Sequence, residues 1–254
     1  MPTASLSRAS SVRNTTAEQF APVLRVHADL LGECSPQVDQ ASAGRRVANG
    51  QVAYDALKVL RSCGELTSRF ARVLDAFEVA GLVSNAQRRG ILAAEPDVDD
   101  LVSGWFTGDR TPRDPQRRIA RQVAIVVGNA LLRGATALVG SASVWRAWTR
   151  VVCPCCGGGP DIALVDRSGR TLICAHCDAR WAAPRDGCLG CDASESPSAL
   201  ARIANPALGY DLVMCSSCGR FLKERPRRGL ASLLIERALT AELDLAAEQR
   251  GLRI

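Results

Sequence analysis

The pattern of hydrophobic and polar positions changes near residue 150. Before that point, apolar residues recur every three or four positions, which is typical of amphipathic helices. Helices are predicted over residues 20–31, 51–79, 84–94, 97–105 and 116–148. Gly64 is a candidate kink inside the second of these, because glycine weakens a helix interior. Residues 1–17 are polar and read as a flexible tail.

After residue 150 the apolar runs become short and are separated by Gly, Pro and Cys. This pattern predicts strands, for example over 161–165 and 170–173. A last amphipathic helix is predicted over 230–249. Five of its leucines are available for burial: Leu233, Leu234, Leu239, Leu243 and Leu245.

The segment 116–148 is apolar enough to raise the question of a membrane span. Arg133 lies in its middle, and a central Arg costs about 2.5–3.5 kcal/mol on insertion scales. A helix buried at the centre of a bundle is therefore the better interpretation, and no membrane insertion is predicted. Trp145 and Trp148 are expected to pack in the core.

Composition then restricts the class of protein. The chain has 254 residues, 47% of them hydrophobic, which indicates a globular protein. Residues 1–17 contain no apolar core of a signal peptide, so a cytoplasmic location is predicted. The only histidines are His27 and His176, and neither a nucleophile–base pair nor a phosphate-binding glycine motif is present. No catalytic residue is predicted, and the protein is not expected to be an enzyme.

Cysteine is the informative residue, because nine of the 11 cysteines lie between residues 153 and 218. Cytoplasmic thiols stay reduced, so these cysteines are expected to bind metal and not to form disulfides. Cys34 and Cys63, in the first half, are predicted to be small buried hydrophobes. Cys155 is an additional thiol, either a bystander, an alternate ligand or a reactive group.

Eight of the nine cysteines form four C-x-x-C pairs: Cys153/Cys156, Cys174/Cys177, Cys188/Cys191 and Cys215/Cys218. The gaps between successive pairs are 17, 10 and 23 residues. Two C-x-x-C pairs about 15–20 residues apart are typical of a four-thiolate zinc site. The first pair is therefore assigned to the second and the third to the fourth, which predicts two metal sites in tandem.

The residues that follow these pairs support the assignment. A metal-binding turn of this kind, a knuckle, needs a residue with positive φ after its second cysteine. Gly157 and Gly219 occupy that position in the first and last knuckles, and Asp178 and Asp192 in the other two. Four thiolates suit zinc or a single iron, and with no open coordination position they favour structure or one-electron transfer over substrate chemistry.

Charge provides a second hypothesis. Residues 153–218 carry five Arg, six Asp and one Glu, a net charge of −2, which disfavours binding of phosphate. Residues 220–228 are the exception, with five basic residues and one Glu. A solvated connector is the expected structure of this stretch. The alternative function is a zinc-ribbon adaptor that binds nucleic acid or an acidic protein partner through residues 220–228.

Several runs of residues resemble one family. They are CPCCGGGP at 153–160, RTLICAHC at 170–177 followed by Trp181 and Arg185, CLGC at 188–191, and CSSCGRFLK at 215–223. Together they resemble the FdhE family of formate dehydrogenase accessory proteins. The likeness is close over about 153–223, is also visible in 231–253, and is limited to helical character in the N-terminal half.

The resemblance implies a cytoplasmic maturation factor, or chaperone, that binds the catalytic subunit of a formate dehydrogenase. It implies two rubredoxin-like modules and favours iron as the metal, with zinc as the alternative. Binding of nucleic acid is disfavoured, and a homodimer is compatible with the sequence.

The predicted fold class is an α-helical N-terminal domain, two tandem rubredoxin-like or zinc-ribbon modules, and a C-terminal helix. The predicted boundaries are a tail at 1–17, a helical domain at 18–149, a first module at 150–186, a second module at 187–228, and a final helix at 229–254.

Overall fold

A computed structural model describes residues 12–33, 38–109, 111–139, 145, 148–183, 187–191, 200–227 and 232–252. The chain divides into two compact units. One unit is Glu18–Gly140, and the other combines Met1–Ala17 with Ser141–Ile254. The predicted fold class is confirmed: helices come first, then a sheet that carries two four-cysteine clusters, and then a C-terminal helix.

The first part of the chain is helical. Its helices are α1 at 12–19, α2 Ala21–Glu33, α3 Gln40–Ala48, α4 Ala56–Ser62, α5 Leu66–Val79, α6 Asn85–Ala93, α7 Val98–Thr107 and α8 Pro115–Val139. Helix α3 was not predicted, because it buries only Ala43 and Val47 and so has a narrow apolar stripe. Its start is set by Asp39, whose side chain accepts hydrogen bonds from the amides of Ala41 and Ser42.

Two predicted helices have different ends in the structure. The single helix expected over 51–79 is two helices, because Gly64 between α4 and α5 has φ +80° and stops the first one. Helix α8 ends at Val139, well before the predicted residue 148. Trp145 and Trp148 are themselves not helical and are buried, as expected.

Helix α8 forms much of the core of the helical unit and packs against α2, α5 and α7. It is long and apolar enough to cross a membrane by length and composition, yet 61% of its most apolar window is buried within the structure. Two buried polar contacts join it to its neighbours. His27 Nε2 lies 2.8 Å from Asn129 Oδ1, and Tyr54 Oη lies 2.8 Å from Thr136 Oγ1.

The second unit contains one six-stranded sheet in the order β3-β2-β1-β6-β5-β4. The strands are β1 Pro160–Asp166, β2 Gly169–Cys174, β3 Arg180–Ala183, β4 Leu200–Asn205, β5 Tyr210–Cys215 and β6 Phe221–Pro226. Neighbours are antiparallel except for β1 and β6, which pair in parallel with Ile162 opposite Lys223. The strands predicted over 161–165 and 170–173 correspond to β1 and β2.

The sheet is a tandem repeat. The first module runs knuckle, β1, β2, knuckle, β3, and the second runs knuckle, β4, β5, knuckle, β6. Across the sheet each module presents its third, second and first strand in the same order. A parallel β1–β6 pair is the junction that such a head-to-tail repeat requires. The sequence predicted two modules, and the structure joins them into one hydrogen-bonded sheet.

Helix α9, Leu233–Gln249, packs against both modules. Leu233 and Leu243 join the apolar cluster of Ile162, Ile173 and Tyr210, while Ala247 packs on Leu212 and Phe221. The buried face contains Leu233, as predicted, but it also contains two polar residues that were not expected there. Glu236 and Thr240 are fully buried, whereas Leu245 is exposed.

Part of the predicted tail is also ordered. Residues 12–19 form α1, and Arg13 reaches the second unit's interior. Its Nε donates to Glu236 Oε1 over 3.0 Å, and its Nη2 donates to the carbonyl oxygen of Leu208 over 2.6 Å. Glu236 of α9 gives Arg13 a buried, charged hydrogen-bond acceptor, and this contact explains why the polar N-terminal segment packs in the second unit. Residues 1–11 lie outside the described part of the chain.

Candidate metal centres

The modules bring the eight predicted ligands together in the predicted pairs. Each hairpin ends at a knuckle, since β2 ends at Cys174 and β5 ends at Cys215. The preceding knuckle of each module lies against it. One cluster contains Cys153, Cys156, Cys174 and Cys177, and the other contains Cys188, Cys191, Cys215 and Cys218.

The sulfur positions fit a tetrahedral metal. In each cluster all four Sγ atoms lie within 4.8 Å of one another. Individual separations are 3.5 Å for Cys153–Cys177, Cys156–Cys174 and Cys188–Cys218, and 3.7 Å for Cys191–Cys215. A tetrahedron with metal–sulfur bonds of about 2.3 Å has sulfurs about 3.8 Å apart. Each cluster could therefore hold one ion, and the four-sulfur donor set suits zinc or iron.

Backbone geometry also matches a thiolate site. Amide groups two residues after a cysteine point at its sulfur: Cys155 N to Cys153 Sγ at 3.3 Å, Gly158 N to Cys156 Sγ at 3.4 Å, and Gly190 N to Cys188 Sγ at 3.2 Å. Such donors stabilise negative charge on sulfur.

The expected positive φ angles are confirmed where the structure describes them. Gly157 has φ +80°, Asp178 +60° and Gly219 +68°. Asp192, the fourth predicted position, lies outside the described residues.

Two glycines have a role that the sequence did not predict. A Cβ on Gly158 would lie 2.1 Å from His176 Nδ1, and a Cβ on Gly190 would lie 2.2 Å from Arg220 Cδ. In each cluster the glycine belongs to one knuckle, and the side chain that packs over it belongs to the facing knuckle. This covering side chain is His176 in the first cluster and Arg220 in the second. Gly158 follows the Cys153/Cys156 pair and Gly190 lies inside the Cys188/Cys191 pair, but the sequence does not show the contact that each makes across its cluster.

The surroundings of the two clusters differ. All four cysteines of the first cluster are buried, whereas in the second only Cys215 is. Burial raises the pKa of the Cys153 and Cys174 thiols well above its ordinary value. Burial also acts to raise the pKa of Cys215, but hydrogen bonds with the Cys218 amide, the Cys188 thiol and the Ser217 amide outweigh it and bring this pKa to about 7. A cation among the sulfurs would offset the cost of keeping thiolates in the first, buried cluster.

An ion-pair cluster fixes the first module. Arg237 of α9 donates to Asp161 Oδ2 over 2.7 Å, to Asp178 Oδ1 over 2.7 Å and to the carbonyl oxygen of Cys174 over 2.7 Å. Asp178 directly follows the ligand Cys177. Arg237 therefore ties α9 to the second knuckle of the first cluster. The sequence showed no signal for it, because a helical Arg is usually solvated.

The basic stretch 220–228 is not the solvated connector that was expected. Residues 221–226 form β6, an inner strand of the sheet. Lys223 is fully buried and its Nζ lies 2.7 Å from Asp244 Oδ2, while Arg225 is buried and paired with Glu236 at 2.8 Å. Two of the five basic side chains are thus already neutralised inside the protein, and the surface on which the nucleic-acid hypothesis rested is correspondingly reduced.

The remaining cysteines have separate outcomes. Cys155 is buried beside the first cluster but is not one of its four converging sulfurs. Cys63 is half-buried and disulfide-bonded, so the prediction of a reduced, fully buried residue is wrong for it. Disulfide formation depends on which thiols the fold brings together, and the local sequence around Cys63 does not show that. Cys34 and Arg185 lie outside the described residues.

These observations define a class of protein: a helical unit combined with a zinc-ribbon unit, in which one sheet carries two four-cysteine clusters that could each hold a metal ion. No protein-family model matches the chain, and no curated protein matches it in sequence. Among solved structures, the chain is similar to the FdhE protein from Pseudomonas aeruginosa, with a TM-score of 0.64. The match has 20% sequence identity and covers 96% of this chain and 91% of that chain. The resemblance predicted from the cysteine motifs is therefore confirmed for the fold.

Proposed function

We propose that the protein is a non-enzymatic maturation factor of the FdhE type, which binds the catalytic subunit of a formate dehydrogenase in the cytoplasm. The observation that carries this proposal is the fold match over nearly the whole of both chains. A zinc ribbon alone is a common module, but the combination of this helical unit with two ribbons is much more specific. The residue runs that resemble the family lie in the same knuckles that build both clusters.

In this proposal the eight cysteines of the two clusters bind two metal ions, with iron favoured by the resemblance and zinc as the alternative. The described residues show two closed four-sulfur clusters and no open ligand position within them. Such sites stabilise structure or carry single electrons, which suits an accessory role better than catalysis. The ions would stabilise the knuckles and, through them, the sheet. In this proposal the client contacts that sheet.

Binding of the client can be tested directly. The tagged full-length chain is expressed in its own host, purified without oxygen, and the co-purifying proteins are identified by mass spectrometry. We expect the catalytic subunit of a formate dehydrogenase to be enriched over a tag-only control. Deletion of the gene should lower formate dehydrogenase activity, and the wild-type chain should restore it. If activity is unchanged by the deletion and no such subunit co-purifies, the proposed function is wrong.

The metal part is tested by metal analysis and absorption spectroscopy of the same preparation. Two irons with thiolate-to-iron bands would support an FdhE-type site with redox capacity, and two zincs without colour would support a structural ribbon. A chain purified with no bound metal would overturn the ligand assignment. Client capture and metal content are independent readouts, so each half of the proposal can fail alone.

A further inference from the structure

The two clusters have the same knuckle topology but very different access to solvent. In the first cluster the cysteines are 0–4% exposed. In the second, Cys188, Cys191 and Cys218 are half-buried and only Cys215 is buried. The first cluster is therefore closed to solvent at all four of its residues, whereas the second is partly open at three of its four residues.

A surface pocket leads to the second cluster. Cys188 and Cys215 both line it, together with Leu189, Leu200 and Leu222. Arg220 also lines this pocket, with its side chain against the backbone of Gly190 in the knuckle. A four-thiolate site with a divalent ion carries a net charge of about −2. The guanidinium of Arg220 reduces the repulsion that an incoming anionic donor would meet there.

Replacement of one thiolate by another needs space at the metal and an exit for the displaced sulfur. The incoming donor expands the coordination shell, and the displaced cysteine must reach solvent to be stabilised. Burial of all four sulfurs closes both routes in the first cluster. The second cluster has both routes, because its pocket supplies an entry and Cys188 is partly exposed to solvent.

We propose that the two sites have separate roles: the first is a closed structural site, and the second is an exchangeable site where a small-molecule thiol can reach the metal. In the exchange step the bond between the metal and Cys188 Sγ breaks and a bond to the incoming thiolate forms. Cys188 takes up the proton that the incoming thiol releases, and no electron is transferred. This inference rests on the proposed binding of metal by both clusters.

The test uses the full-length chain loaded with two zinc ions and purified without oxygen. Glutathione is the thiol probe, and a coloured chelator, 4-(2-pyridylazo)resorcinol, reports released zinc. Samples quenched with iodoacetamide at each time are mapped by mass spectrometry to show which cysteines have become reactive. No variant is needed for this assignment, so loss of folding cannot confuse it.

We expect two phases of equal amplitude, each of one zinc, with rates about tenfold or more apart because thiol reactivity follows exposure. Alkylation of the second cluster should accompany the fast phase, and alkylation of the first the slow phase. Arg220→Gln should slow the fast phase alone, and Arg227→Gln, a change of the same charge away from the pocket, should leave both phases unchanged.

Three outcomes would overturn the inference. Release of both zincs in one phase, with both clusters alkylated together, would contradict it while leaving the proposed metal binding intact. A fast phase that maps to Cys153, Cys156, Cys174 and Cys177 would reverse the assignment. A chain that retains no zinc would overturn the proposed metal sites and this inference with them.

Discussion

The two metal modules share one chain topology, yet they are stabilised differently. The first module surrounds its cysteines completely, and Arg237 ties it to α9 through Asp161 and Asp178. The second leaves three cysteines half-exposed, and it meets α9 through apolar contacts of Leu212 and Phe221 and through ion pairs of Lys223 and Arg225. The same knuckle geometry can thus be built into a rigid core or placed at a surface, and the neighbouring residues decide which.

The sharpest test of this difference is removal of one ligand from each cluster. Cys174→Ser should unfold most of the metal unit, because metal binding supplies about 10 kcal/mol or more of folding free energy in small zinc domains. Cys188→Ser should cost much less, since water can complete a half-exposed site that has three protein ligands. Metal content and urea unfolding of the full chain measure both effects.

Cys155→Ser is the matched control, since it removes a thiol from the first knuckle without removing a ligand. This variant should keep both ions and near-normal stability. Equal losses of stability in the Cys174 and Cys188 variants would contradict the distinction between the modules.

The next largest effect should come from Arg237. Arg237→Gln removes the nearest cation from two buried carboxylates, Asp161 and Asp178, and breaking such a buried pair typically costs about 3–5 kcal/mol. Arg227→Gln is the comparison, because Arg227 and Asp166 form an exposed pair and should contribute about 0–1 kcal/mol. Urea unfolding monitored by Trp fluorescence would report both, and similar losses would show that the α9 contact does not stabilise the first module.

The covering side chains can be tested through their glycines. Gly158→Ala places a Cβ 2.1 Å from the buried ring of His176, so it should destabilise by about 1–3 kcal/mol. Gly190→Ala should cost less, because the flexible, half-exposed Arg220 can move away. Thermal unfolding of the metal-loaded chain measures both.

Two further variants control this test. Gly158→Ala with His176→Ala should recover part of the loss, because the clash is gone. Gly44→Ala, in α3 with open space around it, should stabilise the chain by about 0.5–1 kcal/mol. If the double variant lost as much stability as Gly158→Ala alone, the contact with His176 would not be the cause of the destabilisation.

The smallest expected effect concerns pH and the two hairpins. In the first module Asp166 closes the β1–β2 turn, and the Ser168 hydroxyl, then the Ser168 amide and Arg227, lower the pKa of its carboxyl. In the second module the neutral Asn205 accepts from the Leu208 amide at the corresponding turn. A lowered folded-state pKa means that this contribution is present above the ordinary Asp pKa of about 3.9 and is lost as pH falls below it.

Asp166→Asn should therefore flatten the dependence of stability on pH between pH 5 and pH 3, and its loss of stability relative to wild type should be larger at pH 7 than at pH 3. Urea unfolding at each pH, compared with wild type, is the measurement. Asn205→Ala should change stability by the same amount at both pH values. An unaltered pH profile for Asp166→Asn would show that the turn does not couple to proton binding.

The sequence alone determined the helical first half, the position of β1, β2 and α9, and the pairing of the four C-x-x-C motifs. These features depend on short-range patterns: apolar periodicity, turn residues, and the gap that a metal site can span. The four knuckles also predicted positive φ at Gly157, Asp178 and Gly219, since that geometry is a local requirement of the turn.

Only the tertiary structure decided which charges are buried and which cysteines are exposed. Lys223, Arg225 and Glu236 look like solvent-facing residues along the chain, but β6 is an inner strand and α9 covers it, so each meets an opposite charge there. The modules' parallel junction and the half-exposed second cluster likewise depend on partners far away in sequence. Burial is a property of what packs against a residue, and a local pattern of residues does not contain that information.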